Sequence, residues 1–332
     1  MTEKQIEQLK GFVLRPKSFL LFIFMRYISF LIKDDRSYLR ILYRLKMGEK
    51  LDLEHPKTFQ EKLQWLKLYN RRPEYTKMVD KYEAKKYVAS IIGEEHIIPT
   101  YGVWDNFDEI DFSKLPDKFV LKCTHDSGRV IICKDKTTFD IGYARKRINK
   151  ALRTNYFLRG REWPYKNVKP RIIAEAFMEE KDQSILLKDF EVYSGNSVKP
   201  EMTGNEELTD YKFFCFDGEP FMMYVSHDRA ENPTTDFFDM NYQRLPIRMK
   251  DPNSEELPEK PAEFDEMKEL ARKLSEGHPH LRVDFYVINH QIYFGELTFY
   301  HNMGFTKVKP EEWNSKLGDM ITIRYADGRR GG

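Results

Sequence analysis

The spacing of apolar residues divides the chain into a helical first part and a β-rich remainder. In the first part, apolar side chains recur with the period of an amphipathic helix. This pattern predicts helices over residues 37–46, 58–69 and 76–92. Thr58 and Glu61 have the spacing of an N-terminal capping box, which supports the start of the second helix.

Beyond about residue 97 the pattern changes to short apolar runs bounded by turn residues, which are typical of strands. The predicted strands cover residues 97–104, 119–123, 130–134, 171–177, 210–216, 220–225, 281–288 and 291–299. Helical patterns intervene at 140–154 and 261–276. This order predicts an α+β protein. We divide it into a helical N-terminal extension (1–75), a first lobe (76–180), a second lobe (181–325) and a tail (326–332).

The most apolar stretch is FLLFIFMRYISFLI, at residues 19–32. It is too short to span a bilayer and is interrupted by Arg26. It also lacks the small-residue cleavage site that would follow in a secretion signal. One interpretation is a helix buried against the body of the protein. The other is peripheral contact of residues 15–46 with anionic lipid, through aromatic side chains and flanking basic residues.

Charge and cysteine content narrow the possible partners. The chain of 332 residues has 55 basic and 53 acidic side chains, which gives no electrostatic support for a nucleic-acid partner. Residues 1–50 hold eleven of the basic and five of the acidic ones, so the basic excess lies at the N-terminus. Cys123, Cys133 and Cys215 lie in apolar runs without the spacing of a zinc site or a disulfide framework. We therefore expect a reducing, cytoplasmic setting.

Two predicted strands enclose a polar, glycine-bearing turn in FVLKCTHDSGRVII, at residues 119–132. Backbone N–H groups in such a turn can bind phosphate oxygens, and Lys122 at the end of the first strand adds positive charge. The turn residues proposed for phosphate binding are Thr124, His125, Asp126, Ser127 and Gly128. An ordinary surface hairpin has the same pattern, and the turn is neither a Walker A loop nor a dinucleotide fingerprint. On its own, this segment leaves both interpretations open.

Two acidic residues occupy the last pair of predicted strands, Asp284 on the first and Glu296 on the second. Strand alternation places Arg282 on the face of Asp284, and places Glu296 on the face of Phe294 and Thr298. If the strands pair, the two carboxylates can hold magnesium, and Arg282 can stabilise a phosphoryl group or an oxyanion. A structural pair between arginine and a carboxylate is the alternative.

Two further strands carry residues suited to a nucleotide site. The segment of Glu175, Ala176, Phe177 and Met178 follows an apolar run and can offer backbone groups to the edge of an adenine ring. Lys212 lies among apolar neighbours, where a buried ammonium needs an anionic partner. If its strand lies at a sheet edge, the ammonium can instead extend into solvent.

In this order, these segments resemble the ATP-grasp superfamily. At finer detail the chain is similar to the TupA-like ATP-grasp family of teichuronopeptide and cell-surface polysaccharide biosynthesis. The similarity runs from about residue 35 to 320. It is carried by KTFQEKLQWLKLY (57–69), VDKYEAKKYV (79–88), FVLKCTHDSG (119–128), DYKFFCFDGEP (210–220), and RVDFY with IYFGELTFY (282–300).

The resemblance implies two α+β lobes that clasp ATP, and an ATP-dependent carboxylate–amine ligase that acts through an acyl phosphate. On matching positions, it implies phosphate contacts from Lys122, Lys212 and the 124–128 turn, and adenine contacts from 175–178. Asp284 and Glu296 would hold Mg²⁺, and Arg282 would steady the acyl-phosphate step. Many members have Asn where this chain has Thr298, so we expect Asn302 to supply the third metal ligand.

Further expectations concern the acceptor side of the reaction. His301 is a candidate acceptor of the amine's proton, although a loop histidine is more often simply solvated. The family association implies a sugar acid and an amino acid or other amine as substrates. The cysteine content and the basic, apolar N-terminal stretch place the chain in the cytoplasm or at the inner face of the cell membrane.

Three other functions stay open. A glycosyltransferase would bind a sugar nucleotide and commonly has a D-x-D motif, which we do not find in a strand-end setting. An ATP-dependent sugar phosphotransferase would use the same ATP site and stop at a phosphorylated hydroxyl. A membrane-associated scaffold would keep the nucleotide site for structure alone.

Overall fold

The computed structural model describes residues 16–179, 209–227, 233–324 and 330–331. Its N-terminal part is helical, as predicted. The helices are α1 (Pro16–Ile23), α2 (Asp35–Met47), α3 (Phe59–Tyr69), α4 (Glu74–Val79) and α5 (Glu83–Ile92). The predicted capping box at the start of α3 is confirmed, because the Thr58 side chain accepts from the backbone of Glu61 while the Glu61 carboxylate accepts from the backbone of Thr58.

The prediction of one continuous helix over 76–92 is wrong, since the chain leaves the helix between α4 and α5. Asp80 causes the break: its Oδ1 accepts from the backbone N–H groups of Tyr82 at 2.9 Å and Glu83 at 3.2 Å. A short acidic side chain that bonds nearby backbone donors competes with the helix in this way. The backbone N–H of Lys81 is thereby free to donate to the carbonyl of Thr124, 3.0 Å away.

The first sheet forms the core of the first lobe. Its antiparallel strands are ordered β1 (Thr100–Trp104), β4 (Ile172–Ala176), β2 (Phe119–Cys123) and β3 (Val130–Cys133). Helix α6 (Ile141–Leu152) packs its small apolar face on the buried side of this sheet, and the short helix α7 (Phe157–Gly160) follows it.

The second sheet has five antiparallel strands. They are ordered β7 (Thr234–Asp239), β6 (Glu219–His227), β5 (Asp210–Phe216), β8 (His280–Ile288) and β9 (Gln291–Thr298). Helix α8 (Phe264–Ser275) covers one face of this sheet, where Phe264 packs on Phe213 with ring centroids 5.8 Å apart. Strand β7 and helix α9 (Glu312–Asp319) are not among the elements predicted from the sequence. The short strands β10 (Ile323–Arg324) and β11 (Arg330–Gly331) pair near the end.

A β-bulge in β9 overturns one predicted face assignment. Glu296 pairs with Asp284, whereas Phe294 pairs with Phe285, so Gly295 is an extra residue between two registered pairs. An extra residue reverses the alternation of faces on the bulged strand. Glu296 therefore lies on the face of Asp284, and not on the face of Phe294 as strict alternation predicted.

Helix α1 and the helical turn Phe24–Ile28 after it pack on the protein by one face only. Phe24 is buried, with its ring centroid 5.4 Å from that of Tyr38. The other face and the turn at residues 29–31 expose large apolar side chains, among them Phe30 at 68% and Leu31 at 67% exposure in that turn. Within the described residues, no helix has the length and apolar content needed to cross a membrane.

Helix α3 joins the N-terminal extension to the second lobe. Gln64 Nε2 donates to the carbonyl of Gly304 at 2.7 Å, and Lys67 Nζ donates to the carbonyl of Met303 at 2.7 Å. Asn302, Met303 and Gly304 all have positive φ, so this turn is backbone-strained and needs such anchoring. The extension thereby fixes the turn that directly follows β9 and His301.

Candidate active site

Three predicted site residues lie side by side on adjacent strands of the second sheet. Lys212 on β5 is in register with Asp284 on β8, and Asp284 is in register with Glu296 on β9. Directly opposed residues of antiparallel strands project from the same face. The sheet therefore brings the ammonium and both carboxylates together.

Arg282 completes this group with two parallel bonds to Asp284. Its Nε lies 2.7 Å from Asp284 Oδ1, and its Nη2 lies 2.6 Å from Asp284 Oδ2. The same Nη2 lies 2.9 Å from Glu296 Oε1. Asp284 Oδ2 also accepts from Lys212 Nζ at 3.1 Å, and Lys212 makes a further ion pair with Asp210. We call Asp210, Lys212, Arg282, Asp284 and Glu296 the carboxylate cluster.

Burial makes the charges of the carboxylate cluster strongly interdependent. Burial alone would raise the pKa of Asp284, but Arg282 and Lys212 outweigh it and hold that pKa below its ordinary value. Burial would lower the pKa of Lys212, but Asp284 and Asp210 raise it instead. Both groups are therefore charged at neutral pH. Glu296 differs from them, because its side chain is 43% exposed.

His301 lies behind Arg282 and is buried rather than solvated. Its Nδ1 is 2.8 Å from Arg282 Nη1, and its Nε2 is 3.0 Å from the Asn302 side-chain amide. Burial and the adjacent Arg282 keep the pKa of His301 well below its ordinary value. A neutral ring that accepts from Arg282 at Nδ1 holds the guanidinium in place.

The first sheet presents a lysine group built around one buried carboxylate. Glu175 Oε2 lies 2.6 Å from Lys122 Nζ, and its Oε1 lies 2.7 Å from Lys85 Nζ. The Lys85 ammonium also donates to the carbonyl of Ile98 at 2.7 Å. The Glu175 side chain therefore positions lysines, while any adenine contact from this strand end would come from its backbone and the half-buried Ala176, Phe177 and Met178.

The predicted phosphate turn is anchored at its start and open at its tip. Thr124, His125 and Asp126 are buried, and the His125 ring faces away, with Nε2 at 3.2 Å from the carbonyl of Ala151. Asp126 Oδ1 accepts from the backbone N–H of Ser127 at 2.8 Å. Gly128 is exposed with φ of 82°, a conformation that glycine adopts without strain. The tip at Ser127 and Gly128 is thus the part of the turn left to meet a ligand.

Lys81 connects the two sheets. Its ammonium donates to the carbonyl of Asp126 in the phosphate turn. Burial lowers the pKa of Lys81 and Lys122 adds to that effect, whereas Glu296, Glu175 and Asp126 oppose it. The negative charges of Glu296 on the second sheet, and of Glu175 and Asp126 in the first lobe, thus all stabilise the charged form of Lys81. The Lys81 ammonium therefore lies within electrostatic reach of Lys122 and Glu175 on the first sheet and of Glu296 on the second.

Comparison with known protein families identifies the family to which the chain belongs. A family model described as TupA-like ATPgrasp matches residues 61–201 and 197–322. The chain belongs to the TupA-like ATP-grasp family. This membership confirms the predicted α+β ATP-grasp fold.

Several solved structures are also similar to this TupA-like chain. D-alanine–D-alanine ligase from Bacillus anthracis with ATP is 14% identical, over 74% of this chain and 63% of that one, with a TM-score of 0.39. The Helicobacter pylori D-alanine–D-alanine ligase is 14% identical over 79% and 68%, with a TM-score of 0.39. D-cycloserine synthetase DcsG is 12% identical over 75% and 70%, with a TM-score of 0.36. The chain spans less than two thirds of the first of these, and the curated proteins give no significant match.

The carboxylate cluster contains oxygen donors of the kind that magnesium prefers. Its three carboxylates outnumber its two cations, and Glu296 is accessible. Within the described residues, no group of three or more His, Cys, Asp and Glu side chains is arranged to hold a metal by itself. Magnesium commonly takes only one or two carboxylates and completes its shell with phosphate and water oxygens. Asp284 and Glu296 fit that pattern.

Several residues of the site were not identified from the sequence. Lys81 and Lys85 lie within the string VDKYEAKKYV and are one helical turn apart in spacing, which was the available signal. Tyr156 lies beside the side chain of Ser127 and within the field of Glu296. Glu162 is buried near Lys67 and Glu296. The apolar period gave no signal for Tyr156 or for Glu162.

Proposed function

We propose that the TupA-like protein joins an amine to the carboxylate of a sugar acid, through an acyl phosphate formed at the expense of ATP. The sugar acid would belong to a cell-surface polysaccharide or its precursor, and the amine would be an amino acid or a similar compound. The observation that carries this proposal is the position of Lys81. Its ammonium donates a hydrogen bond to the phosphate turn and lies within reach of the charge of Glu296. A triphosphate held there would meet the cations of both sheets.

The reaction needs activation because a carboxylate is a poor electrophile at neutral pH. In the first step a carboxylate oxygen attacks the γ-phosphorus of ATP, the bond to the bridging oxygen breaks, and ADP leaves. In the second step the amine nitrogen attacks the acyl carbon, the carbon–oxygen bond to phosphate breaks, and the amine loses a proton. The products are an amide, ADP and inorganic phosphate.

Positive side chains of the two sheets would stabilise the charge on the phosphates in the first step. We assign to the phosphates Lys81 from the segment between α4 and α5, Lys122 from the first sheet and Lys212 from the second. Magnesium, when bound through Asp284, Glu296 and the Asn302 amide oxygen, would neutralise charge on the phosphoryl group. Arg282 would steady the developing negative charge on the acyl phosphate.

His301 has two candidate roles. Its Nδ1 accepts from Arg282 Nη1 at 2.8 Å, which favours a role in orienting that guanidinium. The predicted role as acceptor of the amine's proton requires Nδ1 to exchange Arg282 for the amine. His301→Gln separates the two roles, because glutamine can still accept from Arg282 but cannot take up a proton.

Hydroxylamine provides a test that does not depend on knowing the native amine. The enzyme is incubated with ATP, Mg²⁺, a panel of uronic acids and hydroxylamine, which intercepts acyl phosphates as hydroxamates. The proposal predicts ADP together with a hydroxamate of one or more acids. ADP with a phosphosugar would instead indicate a phosphotransferase. Consumption of an added sugar nucleotide without ADP would indicate a glycosyltransferase.

The exposed face of the first helices supports peripheral contact with the inner face of the cell membrane, and hence a cytoplasmic location. Seven large apolar side chains, each at least 40% exposed, cluster within residues 19–31: Phe19, Leu20, Phe22, Tyr27, Ile28, Phe30 and Leu31. Residues 16–33 contain basic but no acidic side chains. An exposed apolar face with a basic surround suits an anionic bilayer better than water.

A further inference from the structure

A cavity of about 510 Å³, open to solvent, lies at the turn that follows β9 and His301. Its walls include Tyr156, which lies beside Ser127 of the phosphate turn, and Asn302, which contacts His301 at 3.0 Å. The volume lies within the range of small-molecule sites, about 300–1,000 Å³. The cavity therefore adjoins the centre at which phosphoryl transfer is proposed, and it is large enough for an acceptor.

Lysines dominate the charge of this cavity. Lys46, Lys250 and Lys307 line it, and none of the described lining residues is acidic. Lys46 Nζ lies 4.9 Å from the centre of the Phe305 ring, which forms another wall. Two acids lie near these lysines. Asp251 Oδ1 is 3.6 Å from Lys250 Nζ, and the charge of Glu162 stabilises the charged form of Lys46. The lining itself remains cationic.

The fold brings these lysines together from distant parts of the chain. Lys46 belongs to the last turn of α2. Arg248 and Lys309 form an isolated antiparallel bridge, with both backbone N–H···O distances at 2.8 Å, which sets Lys250 and Lys307 on the same rim. Three lysines converging on one cavity repel each other, so an anion bound between them relieves an electrostatic cost.

A sugar acid with one carboxylate leaves these lysines without an anion. Its carboxylate must reach the phosphoryl group near Arg282 and Glu296, and it cannot also contact the rim. We infer that the acceptor carries further negative charge, as phosphate or additional carboxylate, and that Lys46, Lys250 and Lys307 bind this distal anionic group. This inference rests on the proposed function for the identity of the reacting carboxylate, but the cavity's preference for anions can be measured alone.

Calorimetry on enzyme loaded with Mg²⁺ and a non-hydrolysable ATP analogue measures that preference. Inorganic phosphate and the tricarboxylate tricarballylate are the probes, and the monocarboxylate glucuronate is the comparator. We expect at least one polyanion to bind more tightly than glucuronate, with an affinity that falls at high salt. If phosphate binds more tightly than tricarballylate, the distal group of the acceptor is a phosphate; if tricarballylate binds more tightly, it is a carboxylate.

The double variant Lys250→Ala/Lys307→Ala should weaken binding of the polyanion about fivefold or more, because an exposed ion pair contributes roughly 1 kcal/mol. Lys309→Ala is the matched control, since this exposed lysine does not line the cavity. Equal binding of all three probes, or polyanion binding unchanged in the double variant, would overturn the inference. Lysine-dependent binding without hydroxamate formation would instead retain the cavity assignment and refute the ligase reaction.

Discussion

Lys212 and Asp284 face each other across adjacent antiparallel strands, with Lys212 Nζ 3.1 Å from Asp284 Oδ2. Asp284 also binds Arg282 through both of its oxygens. One buried carboxylate therefore contacts both buried cations, together with Asp210 at Lys212 and Glu296 at Arg282. This relationship gives Asp284 a structural role in addition to the metal-binding role proposed for it.

Asp284→Asn should destabilise the protein as well as stop turnover. The amide cannot neutralise Arg282 and Lys212, and breaking a buried ion pair costs about 3–5 kcal/mol. Urea unfolding of the two proteins measures the difference in free energy of unfolding. A change below about 1 kcal/mol, the range of exposed pairs, would contradict the compensating role.

Glu296→Gln should separate catalysis from stability. Because the Glu296 side chain is 43% exposed, we expect its free energy of unfolding to change by less than about 1 kcal/mol. Turnover should require a higher Mg²⁺ concentration or disappear. Magnesium titration of ADP formation provides the measurement, with the exposed Glu255→Gln as control. Wild-type magnesium dependence in Glu296→Gln would mean that the metal lies elsewhere.

Lys81→Ala should weaken ATP binding. This lysine is proposed to contact the phosphates, and hydrogen bonds to charged groups contribute about 1.5–3 kcal/mol, so the Kd for ATP should rise roughly tenfold or more. Calorimetry with Mg²⁺ and an ATP analogue compares it with Lys86→Ala, whose side chain is 62% exposed. Similar affinity in both variants would remove Lys81 from the phosphate site.

Glu162 should make stability depend on pH. Its Oε1 is buried without a hydrogen-bond partner among the described residues, and burial raises its pKa to about 7 from the ordinary 4.5, against the opposing effect of Lys67. The folded state thus binds this proton more tightly than the unfolded state, so stability is lost as pH rises from about 4.5 to about 7.

The free energy of unfolding of wild type, relative to Glu162→Gln, should therefore fall between about pH 5 and about pH 8, because only the wild type must ionise a buried carboxyl. Urea unfolding of both proteins at the two pH values provides the measurement. Parallel pH profiles would show that Glu162 ionises as readily in the folded protein as in water.

Phe30→Ser/Leu31→Ser should abolish association with anionic vesicles. These side chains are 68% and 67% exposed, so the substitution removes apolar contact with lipid while leaving the packed face of α1 intact. Flotation with anionic and with neutral vesicles measures association. Leu257→Ser is the control, because this residue is 55% exposed but lies outside the exposed apolar residues at 19–31, and it should float as wild type does. Failure of wild type to float with anionic vesicles would exclude lipid as the partner.

Local patterns predicted most of the strands and the capped helix α3, because apolar period and capping residues act over a few positions. They failed where one side chain or one extra residue changed the backbone. Asp80 interrupts a continuous helical pattern, and the bulge at Gly295 reverses the alternation that had placed Glu296 on the wrong face. Neither departure alters the period on either side of it, so the pattern contained no warning.

The site was predictable in its second sheet and only partly in its first. Lys212, Asp284 and Glu296 lie on strands that the apolar pattern predicts, although the bulge at Gly295 sets the face of Glu296. Lys81 reaches the phosphate turn because the helix breaks at Asp80, and its contacts with Thr124 and Asp126 there are tertiary and leave no local pattern. The lysines of the cavity come from three separate segments, and no local pattern could bring them together.

Acyl-phosphate formation is tested most directly by following oxygen from the acceptor. An acid that supports turnover is prepared with isotopically labelled carboxylate oxygens, and the inorganic phosphate released with ADP is analysed by mass spectrometry. Attack of the carboxylate on the γ-phosphorus predicts one labelled oxygen in each phosphate. Unlabelled phosphate, with both labelled oxygens kept on the acid or its product, would contradict the account.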